Sequence, residues 1–235
     1  MAAHLIVLGA GRGTRMQSKM PKVLHRVGGA PLFAHALAAG AAVSPDSAVL
    51  VVGHGADEVR AAAAAIDPGV EVVVQERQEG TAHAVAATRS ALGTARGDVF
   101  VLYGDTPFVR PETLSRMAAA RAGGAAVVVL GFEAADPGRY GRLVVEGGTL
   151  ERIVEYKDAT EAERAITLCN SGVVCADAET LFPLVDAVGN DNASGEYYLT
   201  DIVAIARAQG LHCATVACDA AETQGVNSRA DLARA

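Results

Sequence analysis

The sequence contains no tryptophan, and aromatic residues make up only 4% of its 235 positions. A core for this chain therefore has to be assembled from Ala, Val, Leu and Ile on helices and strands, the texture of an α/β protein. Long apolar runs are also missing, and nothing approaches the ~20 residues that a membrane-spanning helix requires. The apolar stretch near the N-terminus, Leu5 to Leu8, is too short for a signal-peptide core and has no Lys or Arg before it. These absences point to a cytoplasmic protein. Cysteines are few, and Cys169, Cys175, Cys213 and Cys218 are separated by five and four residues within their pairs. That spacing suits neither a zinc knuckle nor a redox pair, and the apolar surroundings imply buried structural thiols. A basic balance is absent as well: the formal net charge is -7 and the pI is near 5.4. That excludes a general nucleic-acid binder.

One kind of residue is missing locally. The chain carries 27 Asp and Glu, yet the first acid is Asp46. The same stretch holds Arg12, Arg15, Lys19, Lys22 and Arg26, four of them within LGAGRGTRMQSKMPK at residues 8 to 22. In an acidic protein any anionic ligand must meet a local cluster of positive charge, and this segregation supplies one. Gly9, Gly11 and Gly13 run G-x-G-x-G, not the G-x-G-x-x-G of dinucleotide sites, and no acid ends the second strand to hold a ribose. A Walker loop is lacking too. Alternate glycines let backbone N–H groups point at phosphate oxygens, and Arg15 and Lys22 can add charge-assisted bonds. Pro21 stiffens the backbone before Lys22. On spacing alone, a turn whose cations face water is the other reading.

Apolar runs recur at Leu5 to Leu8, Ala48 to Val52, Val70 to Val74, Val99 to Leu102 and Ala126 to Leu130, predicting strands covered on both faces. Helical patterns fall between them at Pro31 to Val43, Ala56 to Ile66, Thr81 to Leu92 and Pro111 to Ala122. This alternation predicts a Rossmann-like, doubly wound, mostly parallel sheet over the first 130 residues. After Gly131, two strand-like runs flank Gly147-Gly148, a hairpin signal. Helices over Ala178 to Val188 and Glu196 to Gln209, with strands near Asn170 to Ala176 and Leu211 to Val216, give the second half an α+β texture. The glycine loop follows the first strand and so falls at the carboxyl edge of the sheet, where open α/β folds bind ligands.

The pattern L-x-A-G-x-G-T-R-M-x-S-x-x-P-K resembles the signature loop of the sugar-nucleotide pyrophosphorylases, in the variant of the bacterial N-acetylglucosamine-1-phosphate uridyltransferases. QERQEGTAHAV, VLYGDTP, YGRLVVE, RIVEYKDA, CNSGV, GEYYLTD and GVNSR continue the resemblance in order along the chain. Gly9 departs from it, since that family usually has Ala there. The resemblance implies a mixed, mostly parallel nucleotide-diphospho-sugar transferase fold with a smaller α+β sugar-binding lobe. It implies a Mg2+-dependent reaction of UTP with N-acetylglucosamine 1-phosphate, giving UDP-N-acetylglucosamine and pyrophosphate for peptidoglycan and lipopolysaccharide precursors. The backbone at Leu8, Ala10, Gly11 and Gly13 would hold nucleotide phosphates, with Arg15 and Lys22 as the catalytic cations and Arg12 and Lys19 as supporting charge. Gln75, Gly80 and Thr81 would read uracil, a side-chain amide offering both donor and acceptor. Tyr103, Gly104, Gly141, Glu155, Asn170, Tyr198 and Thr200 would line the sugar site, and Asp105 and Asn227 would hold Mg2+. Read without the resemblance, Gly80-Thr81 is a helix start with Thr as cap, Asp105 follows a buried strand to the same carboxyl edge as the glycine loop with a helix cap or turn residue as its competing role, and one of Tyr197 and Tyr198 packs inward.

The same resemblance divides the chain into a nucleotide lobe at about 1–130, a sugar lobe at about 131–227, and the start of a connecting helix at 228–235. The hexapeptide-repeat β-helix that carries acetyl transfer in full-length relatives is absent, which fits either an excised domain or a stand-alone uridyltransferase. A monomer is expected for this chain, and a trimer where the acetyltransferase domain is present. No nucleic-acid or membrane partner is expected. Two alternatives stay open: a pyrophosphorylase for another sugar or base, and a domain that only binds a sugar nucleotide.

Overall fold

The computed structural model describes residues 2–11 and 13–235, so Arg12 lies outside the described residues. In chain order the strands are β1 (Ala3–Gly9), β2 (Arg26–Val27), β3 (Ala30–Pro31), β4 (Ser47–Val52), β5 (Val70–Val74), β6 (Asp98–Tyr103), β7 (Val127–Glu133), β8 (Arg142–Glu146), β9 (Thr149–Val154), β10 (Leu168–Asp177) and β11 (Cys213–Cys218). The helices are α1 (Leu32–Gly40), α2 (Ala56–Ile66), α3 (Thr81–Ala86), α4 (Arg89–Leu92), α5 (Pro111–Ala122), α6 (Glu161–Arg164), α7 (Ala178–Asp186), α8 (Ile202–Ala208) and α9 (Arg229–Arg234). Seven strands form one continuous sheet in the order β11-β7-β10-β6-β1-β4-β5, with β8 and β9 attached as a hairpin beside β10. All pairs along the sheet are parallel except those of β10, which runs antiparallel to β6 and β7.

Successive side chains on a strand face opposite ways, and here each face has its own cover. Ile6, Leu8, Val49, Val51, Val99 and Val101 pack with residues of α3, α7 and α8. Leu5, Val7, Leu50, Val52, Phe100 and Leu102 pack with residues of α1, α2 and α5. The central strands are therefore apolar throughout, as expected for a doubly covered parallel sheet. β5 differs: it lies at the sheet edge, Glu71 is exposed and Val74 is 39% exposed, so the expectation of cover on both faces fails there.

Two helical expectations are also corrected. The run Thr81 to Leu92 breaks in two because the Thr88 hydroxyl donates to Val85 O at 2.7 Å, a local bond that competes with the helix. Glu196 to Tyr198 are not helical; a 3-10 turn spans Leu199–Asp201 and α8 starts only at Ile202. In their place, Tyr197 joins backbone with the glycine turn before α3, donating to Glu79 O at 2.8 Å and accepting from Ala82 N at 2.9 Å. Three of the cysteines are buried and Cys218 is half-buried; all four are free thiols, and burial raises the thiol pKa of each. Among the described residues no helix is long and apolar enough to cross a membrane.

Candidate active site

The parallel strands β1, β4, β5 and β6 end side by side, with Gly9 against Val52, Val52 against Val74 and Leu8 against Tyr103. The loops that leave these ends frame a cavity of about 490 Å3 lined by Leu8, Gly9, Ala10, Gly11, Lys22, Val23, Gln75, Gln78, Gly80, Thr81, Ala84, Tyr103, Asp105 and Glu196. Its volume falls within the usual range of small-ligand sites. Nine of the residues expected at the catalytic, nucleotide, sugar or metal positions meet in this one wall: Leu8, Ala10, Gly11, Lys22, Gln75, Gly80, Thr81, Tyr103 and Asp105.

The cations are held by named contacts. Lys22 Nζ donates to Asp105 Oδ2 in a charge-assisted bond and to Asn227 Oδ1 at 3.2 Å. Arg15 donates to the same Asn227 oxygen at 3.0 Å. Behind Lys22 stands Gly13, at φ 59°, where a Cβ would meet Lys22 Cβ at 2.7 Å. Gly13 thus acts on the cavity through the lysine that it lets approach. Lys19 is exposed and Arg12 lies outside the described residues. Asn227 owes its place to α9: Ser228 and Asp231 form a reciprocal capping box, and Asn227 N donates to Asp231 Oδ2 at 3.1 Å. Val226 N donates to Asp105 O at 2.8 Å, fastening the two oxygen-bearing segments together. The Ser228 hydroxyl chiefly, with the Asn227 and Ser228 backbone N–H groups, holds the Asp231 carboxyl below its ordinary pKa.

Two hard oxygens that converge on one ammonium are a donor set suited to a divalent cation completed by phosphate and water. Among the described residues no cluster of three or more His, Cys, Asp or Glu could hold a metal by itself. Any such ion here would have two protein ligands at most from this pair.

Among the residues expected to read the base, Gln75 is 4% exposed and its amide nitrogen donates to Gly80 O and to His83 Nδ1, each at 3.0 Å. Gly80 has φ 122° and lies so close to Tyr197 that a Cβ would sit 2.4 Å from Tyr197 O, so only glycine fits between the two segments. Thr81 heads α3 without capping it; its hydroxyl accepts from Leu199 N at 2.9 Å. Gln78, a cavity residue not singled out from sequence, donates to Ala10 O at 2.7 Å and braces the glycine loop. Glu196, which falls within the GEYYLTD motif, also lines the cavity. Gln78 sits inside the QERQEGTAHAV motif, so the motif itself carried the signal.

The remaining residues expected at a sugar site gather on the β8–β10 side. A Cβ at Gly141 would meet Glu155 Oε1 at 3.3 Å and Asn170 Cβ at 3.5 Å, and Thr200 donates to Glu155 Oε1 at 3.4 Å. Asn170 sits where β10 breaks register, its side-chain oxygen accepting from Gly172 N at 2.9 Å. Burial, the leading cause, raises the Glu155 carboxyl above its ordinary pKa. Tyr103 links the two groups. Burial chiefly, then the charges of Glu155 and Asp105, push its hydroxyl up, and its ring packs on Gly172. Gly104 is placed differently, packed between Leu8 O and Val23 behind the lining. Tyr198 opens on a neighbouring cavity with Arg139, Glu155, Tyr156, Lys157 and Ser194.

The fold and this edge define the class: the chain has the α/β nucleotide-sugar transferase fold. It aligns over its whole length with UDP-glucose pyrophosphorylase complexed with UDP-glucose at a TM-score of 0.77 and 16% identity, covering 97% of that chain. A putative glucose-1-phosphate thymidylyltransferase from Bacillus anthracis aligns at 0.76 and 20% identity, over 99% of this chain and 93% of that one. At such identities the likeness establishes the fold.

Residues 5–168 match the MobA-like NTP transferase domain, and the chain belongs to that family. It is 65% identical over 231 residues to the bifunctional protein GlmU of Cereibacter sphaeroides, covering 98% of this chain and 51% of the relative. With the bifunctional protein GlmU of Ruegeria pomeroyi it shares 62% over 235 residues, 100% of this chain and 52% of the relative. The chain spans about half the length of the curated relatives it matches.

Proposed function

We propose that this chain is a Mg2+-dependent uridyltransferase that joins UTP to N-acetylglucosamine 1-phosphate, releasing UDP-N-acetylglucosamine and pyrophosphate. The observation that carries the reading is the convergence of Lys22, Arg15, Asp105 and Asn227 beside the glycine loop at the carboxyl edge of the sheet. High identity to GlmU proteins supports the choice of substrates. A phosphate oxygen of the sugar phosphate attacks the α-phosphorus of UTP, and the bond from that phosphorus to the bridging oxygen breaks, its electrons leaving with pyrophosphate. No side-chain nucleophile is required, so the work of the protein is to position two anions that repel each other and to offset the charge that develops.

Backbone N–H groups of Ala10 and Gly11 bind phosphate, Gly13 orders Lys22, and Lys22 places its charge at the α-phosphate while Arg15 steadies the outer phosphates. Gln75, Gly80 and Thr81 hold uracil. Gly141, Glu155, Asn170, Thr200 and Tyr198, with Tyr103 and Gly104, form the sugar side. Asp105 and Asn227 would hold Mg2+, which when bound supplies charge neutralisation at the phosphates. The nucleotide lobe at about 1–130 and sugar lobe at about 131–227 are divisions of ligand chemistry laid on a single sheet, with 228–235 as the connecting segment that fixes Asn227. We place the enzyme in the cytoplasm, in cell-envelope precursor synthesis, as a monomer in this form and as a trimer where an acetyltransferase domain accompanies it.

Pyrophosphate release, measured for UTP, dTTP, CTP and GTP against several sugar 1-phosphates, tests the reading. UTP with N-acetylglucosamine 1-phosphate is the expected pair. Dominant turnover with dTTP or GTP, or with a sugar lacking the acetamido group, contradicts it.

A further inference from the structure

Gln75 is almost fully buried, yet it borders the cavity. An amide NH2 has two hydrogens, and here both are placed: one on the Gly80 carbonyl and one on His83 Nδ1, each at 3.0 Å. The amide oxygen is then the polar atom that Gln75 offers to a ligand. His83 Nδ1 accepts this bond only when the ring carries its proton on Nε2. The Glu79 carboxylate lies 3.8 Å from Nε2 and favours that tautomer. A flipped amide would set its oxygen against the Gly80 carbonyl and the Nδ1 lone pair, losing both bonds and opposing acceptors to acceptors. His83 itself is outside the cavity lining and half-exposed, so it touches the ligand only through Gln75.

We propose that His83 is a positioning residue that sets base selectivity, by locking the Gln75 amide with its oxygen toward the ligand. The inference rests on the uridyl reading of this cavity and on Gln75 as the base reader. An oxygen in that orientation accepts the N3–H of uracil. Cytosine in the same place presents an unprotonated N3, so lone pair faces lone pair. Glu79, His83 and Gln75 thus form a line from solvent to base in which each group fixes the next.

The test is the ratio of kcat/KM for UTP to that for CTP, with N-acetylglucosamine 1-phosphate, in the intact protein and in His83→Ala, His83→Phe, His83→Asn and Gln75→Ala. His83→Phe keeps the ring volume should alanine fail to fold. Loss of one of two orienting bonds lowers the ratio about five- to tenfold in His83→Ala and His83→Phe, with kcat for UTP largely kept. His83→Asn, whose side-chain oxygen can stand where Nδ1 stands, recovers most of the ratio, and Gln75→Ala lowers it at least as far as His83→Ala. Equal losses for both nucleotides in the His83 variants, with Gln75→Ala still lowering the ratio, overturn the role of His83 and leave the uridyl reading standing. An unmodified protein without preference for UTP, or a ratio indifferent to Gln75→Ala, overturns the underlying reading.

Discussion

Removal of the Lys22 ammonium has three separable consequences. Lys22 and Asp105 side chains are only 13% and 15% exposed, and Lys22 also holds Asn227 Oδ1 at 3.2 Å. In Lys22→Ala the carboxylate loses its cation in a partly desolvated place, which costs about 1–3 kcal/mol of stability. Turnover falls further, because a preorganised charge at the reacting phosphate is lost; removal of one such group typically costs about 10²- to 10³-fold. Divalent-ion binding moves the other way. In the ligand-free protein the ammonium sits on the same two oxygens that would ligate Mg2+, so its removal strengthens binding of the ion alone, by about tenfold or more given the ~4 kcal/mol between unit charges 4 Å apart near a surface. Thermal melting, pyrophosphate release and Mn2+ titration followed by electron paramagnetic resonance measure these separately. Near-normal turnover removes Lys22 from the chemistry, and unchanged or weaker Mn2+ binding refutes the claim that Asp105 and Asn227 are shared between lysine and metal.

Two further substitutions probe the walls of the site. Gly80→Ala places a Cβ 2.4 Å from Tyr197 O, against backbone that cannot swing aside, and breaks the paired bonds of Tyr197 with Glu79 and Ala82. Two hydrogen bonds and the strain at positive φ amount to about 3 kcal/mol, expected as a melting temperature lower by about 6–12 °C; a loss under 2 °C would show that the two segments separate freely. Glu155→Gln tests the raised carboxyl pKa, whose first cause is burial. Folding favours the protonated form, so stability is lost as pH rises from the unfolded pKa near 4.5 through the folded one. The variant is therefore expected to melt above the parent at pH 7, with the gap closing below about pH 4.5, while KM for the sugar phosphate rises. A gap that grows toward acid pH refutes the sign.

Most of the architecture was legible because it is locally determined. Val70–Val74, Ala56–Ile66 and Pro111–Ala122 occupy the predicted bounds, the last opened by its proline, and Gly147-Gly148 turns the β8–β9 hairpin. The Glu196 to Tyr198 segment failed because its conformation is decided from far away: Gly80 permits a main-chain approach that no local pattern announces. The reversed strand β10, which carries residues of the second half into the middle of the same sheet, is likewise a long-range outcome. At the site, the glycine loop and its cations were readable from charge segregation, and Asp105 from its position at the end of β6. The His83–Gln75 bond and the bracing of Ala10 by Gln78 were not, since both depend on side chains meeting after the fold has formed. The capping box that aims Asn227 was hidden in what read only as the beginning of a helix.

The most direct measurement is a crystal structure of the protein soaked with UDP-N-acetylglucosamine and Mg2+. Uracil is expected against Gln75 and Gly80, phosphate beside Lys22 and Gly11, the metal on Asp105 and Asn227, and the acetamido sugar among Gly141, Glu155 and Asn170. A sugar nucleotide bound elsewhere, or seated in the cavity with its base on the sugar side, contradicts that placement.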